Sequence, residues 1–126
     1  MRRLALLTLA PIAAALALPA TAFAHPRIVT ATPLANSTVV KPTSLSLTFT
    51  EALVAPLSGI ELTMTGMPGM AKHQPMPIRG FVTKVTDKTM AVKLPRALPA
   101  GAYLLSWHAV ATDQHRVQGS YAFTVR

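Results

Sequence analysis

Apolar and polar residues alternate along most of this chain once its first two dozen residues are passed. Leu45, Leu47 and Phe49 alternate within 44–50, Ile60, Leu62 and Met64 in the next run, and Met90, Val92 and Leu94 after that. Tyr103, Leu105 and Trp107 alternate in the longest such segment, and Tyr121, Phe123 and Val125 in the last. A period of two marks a strand with one buried face. Segments 27–32 and 78–84 carry the same signal more weakly. Turn formers separate the runs at 33–37, Lys41-Pro42, 56–59, Thr86-Asp87-Lys88 and Pro99-Ala100-Gly101. No segment beyond residue 24 keeps a helical period. The pattern predicts an all-β fold, a Greek-key sandwich or barrel of about seven short strands with an immunoglobulin-like shape. Leu98 to Tyr103 suits a tyrosine corner at the entrance to the longest strand. Trp107 and Met90 are expected in the core, with His108 on the opposite face beside Leu104 and Ser106.

The first residues follow another rule. Met1-Arg2-Arg3 precede the apolar run Leu4–Pro19, and Ala22-Phe23-Ala24 has small residues at the positions a signal peptidase reads. Residues 1–24 are therefore expected to be a secretory signal peptide cleaved after Ala24, leaving residues 25–126 as a single β domain. The apolar run is short for a membrane span.

Composition then narrows the chemistry. The chain has no cysteine, so an exported domain of this kind must be held by packing rather than disulfides. Without thiolates, a soft metal has only methionine sulfur and a harder one only His, Asp and Glu. Formal charge is +8, but the basic residues are scattered and not interleaved with aromatics. That argues against nucleic acid as a partner and for a solubilising surface with some attraction to anionic lipid. Glu51, Glu61, Asp87 and Asp113 are the only acidic residues.

Cleavage after Ala24 would make His25 the first residue. Its free α-amine and its imidazole Nδ1 could then close a chelate ring on one metal ion. Pro26 has no backbone N–H, so the remaining ligands must come from elsewhere in the fold. Asp113-Gln114-His115 is expected on a loop between the last two long strands, where Asp113 and His115 can aim at one point. With His25 they would make an N3O set, which in a tetragonal arrangement suits Cu(II). The same Asp-x-His pair also serves as a hydrogen-bonded loop pair without metal. Glu51 follows the inward-facing series of its strand. It is either an axial ligand, an acceptor orienting His25 or His115, or a carboxylate solvated at the rim.

A second cluster lies between Met64 and Met76. Met64, Met67, Met70, His73 and Met76 recur in steps of three. Gly66, Pro68, Gly69, Pro75 and Pro77 rule out a regular helix, and a core strand would need a period of two. An irregular loop that gathers neutral thioethers is left, and such sulfur prefers Cu(I). Met64 could equally continue the core face of Ile60 and Leu62, and His73 could be a plain surface histidine.

Together these features resemble the CopC/PcoC family of periplasmic copper-binding, copper resistance proteins. The resemblance rests on His25-Pro26 after a signal peptide, the strand end at Leu47 to Glu51, and the Met-rich loop. It rests also on Tyr103 to Trp107 followed by Asp113-Gln114-His115, and on Gly119 to Phe123. It implies a Greek-key β domain and a periplasmic location. It implies a Cu(II) site at His25, Asp113 and His115 with Glu51 nearby, and a Cu(I) site in the Met-rich loop at the other end of the barrel. It implies a copper carrier for homeostasis or resistance that is not an enzyme. The carrier would pass copper to an inner-membrane transporter (CopD-like) or to another periplasmic copper protein. This chain departs from the family where a glycine often separates the Asp and His and Gln114 stands here. The alternative is a histidine-brace copper monooxygenase, which also uses an N-terminal histidine and a second one.

Overall fold

Each run of alternating residues becomes a strand because its apolar series can be buried against a second sheet. The structure, a computed structural model, describes residues 25–126; the expected signal peptide lies outside the described residues. Nine strands follow in order: β1 (Ile28–Thr32), β2 (Thr38–Val39), β3 (Ser44–Phe49), β4 (Gly59–Gly66), β5 (Met76–Pro77), β6 (Thr83–Thr86), β7 (Thr89–Lys93), β8 (Gly101–Val110) and β9 (Arg116–Val125). One 3₁₀ turn, Ala55–Leu57, precedes β4. The first sheet has the order β1-β3-β7-β6 and the second β2-β9-β8-β4-β5. Pairing is antiparallel except between β2 and β9, which run parallel. Among the described residues no helix is long and apolar enough to cross a membrane.

The sandwich architecture agrees with the alternation, and the differences have local causes. The segment 78–84 yields only the short β6, because Gly80 takes a φ of 89° and breaks extension. β2 and β5 have two residues each, too few to carry a period. Pro77 is tolerated in β5 because that strand is a sheet edge.

The core lies between the sheets. Leu45, Leu47 and Phe49 of β3 and Met90 and Val92 of β7 meet Leu62 of β4, Tyr103 and Leu105 of β8 and Phe123 of β9. Tyr103 stacks on Phe123 at 5.5 Å and 12°. Its hydroxyl donates to the Pro99 carbonyl at 2.7 Å, the tyrosine corner expected at this position. Trp107 is only half-buried, but it packs edge-on against Phe49 at 5.1 Å. His108 faces away from the core, as its alternation with Trp107 requires.

β8 is central in its sheet and runs the length of the molecule. Its ten residues span about 30 Å at the usual rise of an antiparallel strand. One end of β8 meets the turn that carries Asp113. The other, through the pairing of Ala102 with Gly66, meets the methionine loop.

Candidate metal centre

At the far end of β8 three separate segments converge. The Arg27 N–H donates to Thr50 Oγ1 at 3.0 Å, and the Thr50 N–H donates to the Arg27 carbonyl at 2.9 Å. This reciprocal clamp, with Pro26 buried beside it, holds exposed His25 next to the segment that follows β3. That segment is tied in turn to the β8–β9 connection. Leu53 bridges to Ala111, and the Thr112 N–H donates to the Ala52 carbonyl at 3.3 Å.

The connection itself is a tight turn. The Gln114 N–H donates to the Ala111 carbonyl at 2.8 Å, and the Ala111 N–H donates to the His115 carbonyl at 3.2 Å. Gln114 has a φ of 70°, the left-handed region that glycine enters most cheaply. The turn therefore keeps its shape without the family's glycine. One oxygen of Asp113 accepts the His115 backbone N–H at 3.1 Å, and the other contacts His115 Nδ1 at 3.1 Å. These contacts, the backbone bond above all and then the ring bond, hold the Asp113 carboxyl below the usual carboxylate range. The charges of His115 and His25 act in the same direction. The rings of His25 and His115 meet edge to face at 5.1 Å and 82°.

The structure thus brings His25 to His115, and His115 to Asp113. Among the described residues no three of His, Asp and Glu form a group set to hold one metal ion. Asp113 contacts His115 through both of its carboxylate oxygens. Glu51 is half-buried one residue past the Thr50 clamp, on the segment that adjoins the turn. In the 126-residue chain the His25 nitrogen is an amide to Ala24, so an amine ligand exists only in a chain that begins at His25.

At the opposite end, the Met67 N–H donates to the Met70 carbonyl and the Met70 N–H to the Met67 carbonyl, both at 2.9 Å. Pro68 and Gly69, the latter with a φ of 81°, close a two-residue turn between them. Residues that exchange both bonds have Cα atoms about 5.5 Å apart and side chains on one side, so the side chains of Met67 and Met70 leave the turn on the same side. The loop then folds back over Gly66. A Cβ there would lie 2.3 Å from the Ala71 carbonyl oxygen, and only glycine fits.

Met64 and Met76 are paired across β4 and β5, but they differ in burial. Met64 is 5% exposed and belongs to the core, whereas Met67, Met70 and Met76 are 37%, 52% and 46% exposed. His73 is fixed by two bonds: its backbone N–H donates to the Thr65 carbonyl at 3.1 Å, and its ring Nδ1 donates to the Gln74 carbonyl at 2.6 Å. A carbonyl can only accept, so Nδ1 carries the proton and Nε2 the lone pair. That Nε2 is buried with no hydrogen-bond partner. An orphaned lone pair is costly in a loop with no other use for it. Spacing alone could not have revealed this. The acceptor is a backbone carbonyl, which any residue at position 74 would supply, so the sequence carried no signal for it.

Comparisons with known proteins bear on the family and the fold. The CopC domain profile matches residues 28–126. Copper resistance protein C of Escherichia coli is 44% identical over 106 residues, covering 83% of this chain and 84% of that protein. Copper resistance protein C of Xanthomonas campestris pv. juglandis is 43% identical over 120 residues, covering 94% and 93%. The crystal structure of PcoC, a methionine-rich copper resistance protein from Escherichia coli, superposes with a TM-score of 0.72 at 39% identity, covering 82% of this chain and all of that one. On this match of sequence and fold, the chain belongs to the CopC family of copper resistance proteins.

Proposed function

We propose that this protein is a periplasmic copper carrier with two unlike sites, one at each end of β8. The histidine end takes Cu(II), through the amine and imidazole of His25 and the imidazole of His115. Asp113 orients His115 through Nδ1, which directs coordination to Nε2, and Asp113 or Glu51 completes the set. The loop end takes Cu(I), through the thioethers of Met67 and Met70 with Met76 and His73 Nε2. Met64 anchors the loop from the core. Nitrogen and carboxylate donors suit Cu(II), and neutral sulfur suits Cu(I). One-electron reduction of Cu(II) by an external reductant, or oxidation of Cu(I) by an external oxidant, therefore shifts copper's preference from one end to the other, or releases it to a membrane transporter or soluble copper protein.

The observation that carries this reading is the buried, unpartnered His73 Nε2 in the same loop as three exposed thioethers. It binds rather than turns over, with copper as cargo. The decisive test titrates Cu(II) into a chain beginning at His25 and into one with a single alanine added before it. The extended chain is expected to bind Cu(II) at least about a hundredfold more weakly, with Cu(I) affinity unchanged. Equal Cu(II) affinities would remove the amine from the site, and with it the two-ended carrier.

A further inference from the structure

Three large apolar side chains stand in water on one flank of the sandwich: Val29 is 61% exposed, Leu34 65% and Val40 59%. They are held there. Val29 is the extra residue of a bulge in β1, between Ile28 paired with Phe49 and Thr30 paired with Thr48. Leu34 sits on a turn pinned from several sides. The Tyr121 hydroxyl donates to the Pro33 carbonyl at 2.7 Å, and the Asn36 N–H donates to the Ala122 carbonyl at 2.7 Å. The Ser37 hydroxyl and N–H both donate to the Leu34 carbonyl, at 2.6 Å and 3.2 Å. An apolar groove of about 660 Å³ runs between β1, this turn and Tyr121.

The same flank is cationic. Arg27 precedes β1, Lys41 follows Val40, and the Arg126 N–H donates to the Val39 carbonyl at 3.0 Å; all three side chains are exposed. The segments that build the flank, 26–50 and 114–126, contain no acidic residue.

We propose that this flank docks on the surface of an anionic lipid bilayer. Val29, Leu34 and Val40 enter the headgroup boundary, and Arg27, Lys41 and Arg126 meet lipid phosphates. Shallow apolar insertion joined to basic attraction is the pair of signals that makes peripheral binding stable. Attraction alone would need no leucine held out in solvent. A second copy pairing along β1 fits worse, because the bulge interrupts the ladder a partner strand would extend and like charges would face each other. Docking does not depend on copper, but it would bring His25, three residues before β1, to the membrane surface.

The test is vesicle flotation with residues 25–126, which contain the whole core cluster. Vesicles of phosphatidylglycerol and phosphatidylcholine in equal parts are expected to carry the protein, and phosphatidylcholine alone is not. Leu34→Asp is expected to lower binding about tenfold and Lys41→Gln about fivefold. Val82→Asp makes the same charge change at an exposed apolar residue beside β6, the opposite edge of the sheet, and should leave binding unchanged. Circular dichroism checks that each variant is folded. Absence of flotation with both vesicles overturns the proposal. So does equal loss in Leu34→Asp and Val82→Asp, which would mean charge without a docking face. A concentration-dependent dimer that Leu34→Asp abolishes would assign the flank to a second copy instead.

Discussion

The two ends of β8 are built in opposite ways. The histidine end is assembled from three segments far apart in sequence, joined by the Arg27–Thr50 clamp and the contact of Thr112 with Ala52. It carries charge and exists only when the sandwich is closed. The methionine end lies within one stretch, Gly66 to Met76, held by a two-residue turn and a glycine under the loop. Its thioethers are uncharged, although Lys72 lies in the same stretch, and it is local. A site made by tertiary contacts should fail with the fold, and a site made by neighbours in sequence should outlast it.

The largest effect separates the ends by unfolding. Phe49→Ala removes a fully buried ring that supports Trp107 and pairs with Ile28, and should cost about 3–5 kcal/mol. In moderate urea this variant is expected to lose Cu(II) binding together with its circular dichroism signal, while Cu(I) competition still reports binding within about tenfold of the parent. Simultaneous loss of both would break the distinction. The next effect attacks the local end. Gly66→Ala forces the loop off the Ala71 carbonyl and should cost about 1–3 kcal/mol, weakening Cu(I) in competition titrations and leaving Cu(II) alone.

Two smaller effects sharpen the contrast. Tyr121→Phe, remote from both loops, removes the bond to Pro33 and should cost about 1 kcal/mol at neutral pH, with both copper affinities intact. Burial pushes the Tyr121 hydroxyl from 10.0 up to about 12, so the folded state retains the proton longer than the unfolded one. The stability this contributes is whole below pH 10.0 and is lost as pH rises towards about 12. Thermal melts of parent and variant should therefore converge in that alkaline window. Gln114→Gly relieves the left-handed turn and should stabilise by about 0.5 kcal/mol, raising the melting temperature while Cu(II) affinity holds.

The strands were legible because an inward-facing series has to be apolar at every second position, as in β3, β8 and β9. The tyrosine corner could be read because its chemistry is local. β2 and β5 were not legible, since two residues have no period and depend on β9 and β4 for their bonds. Of the candidate site, the residues were legible and their roles were not. Alternation put Met64 in phase with Ile60 and Leu62 and Met67 out of phase, but the step of three offered Met64 equally to the loop, and only its burial assigns it to the core. Nor could alternation tell that Asp113 would spend both oxygens on His115, which depends on a left-handed Gln114.

The parallel ladder of β2 with β9 joins Thr38 to Thr124 and Val39 to Val125. The five-stranded sheet is thus closed by β9, which bridges β2 and β8. Without β9, β8 has no partner on one side, and the apolar series of β3 has no complete sheet to cover it. Closure of the sandwich therefore waits on a contact between segments far apart along the chain, and the loop that joins them must be ordered before either sheet gains its full cover.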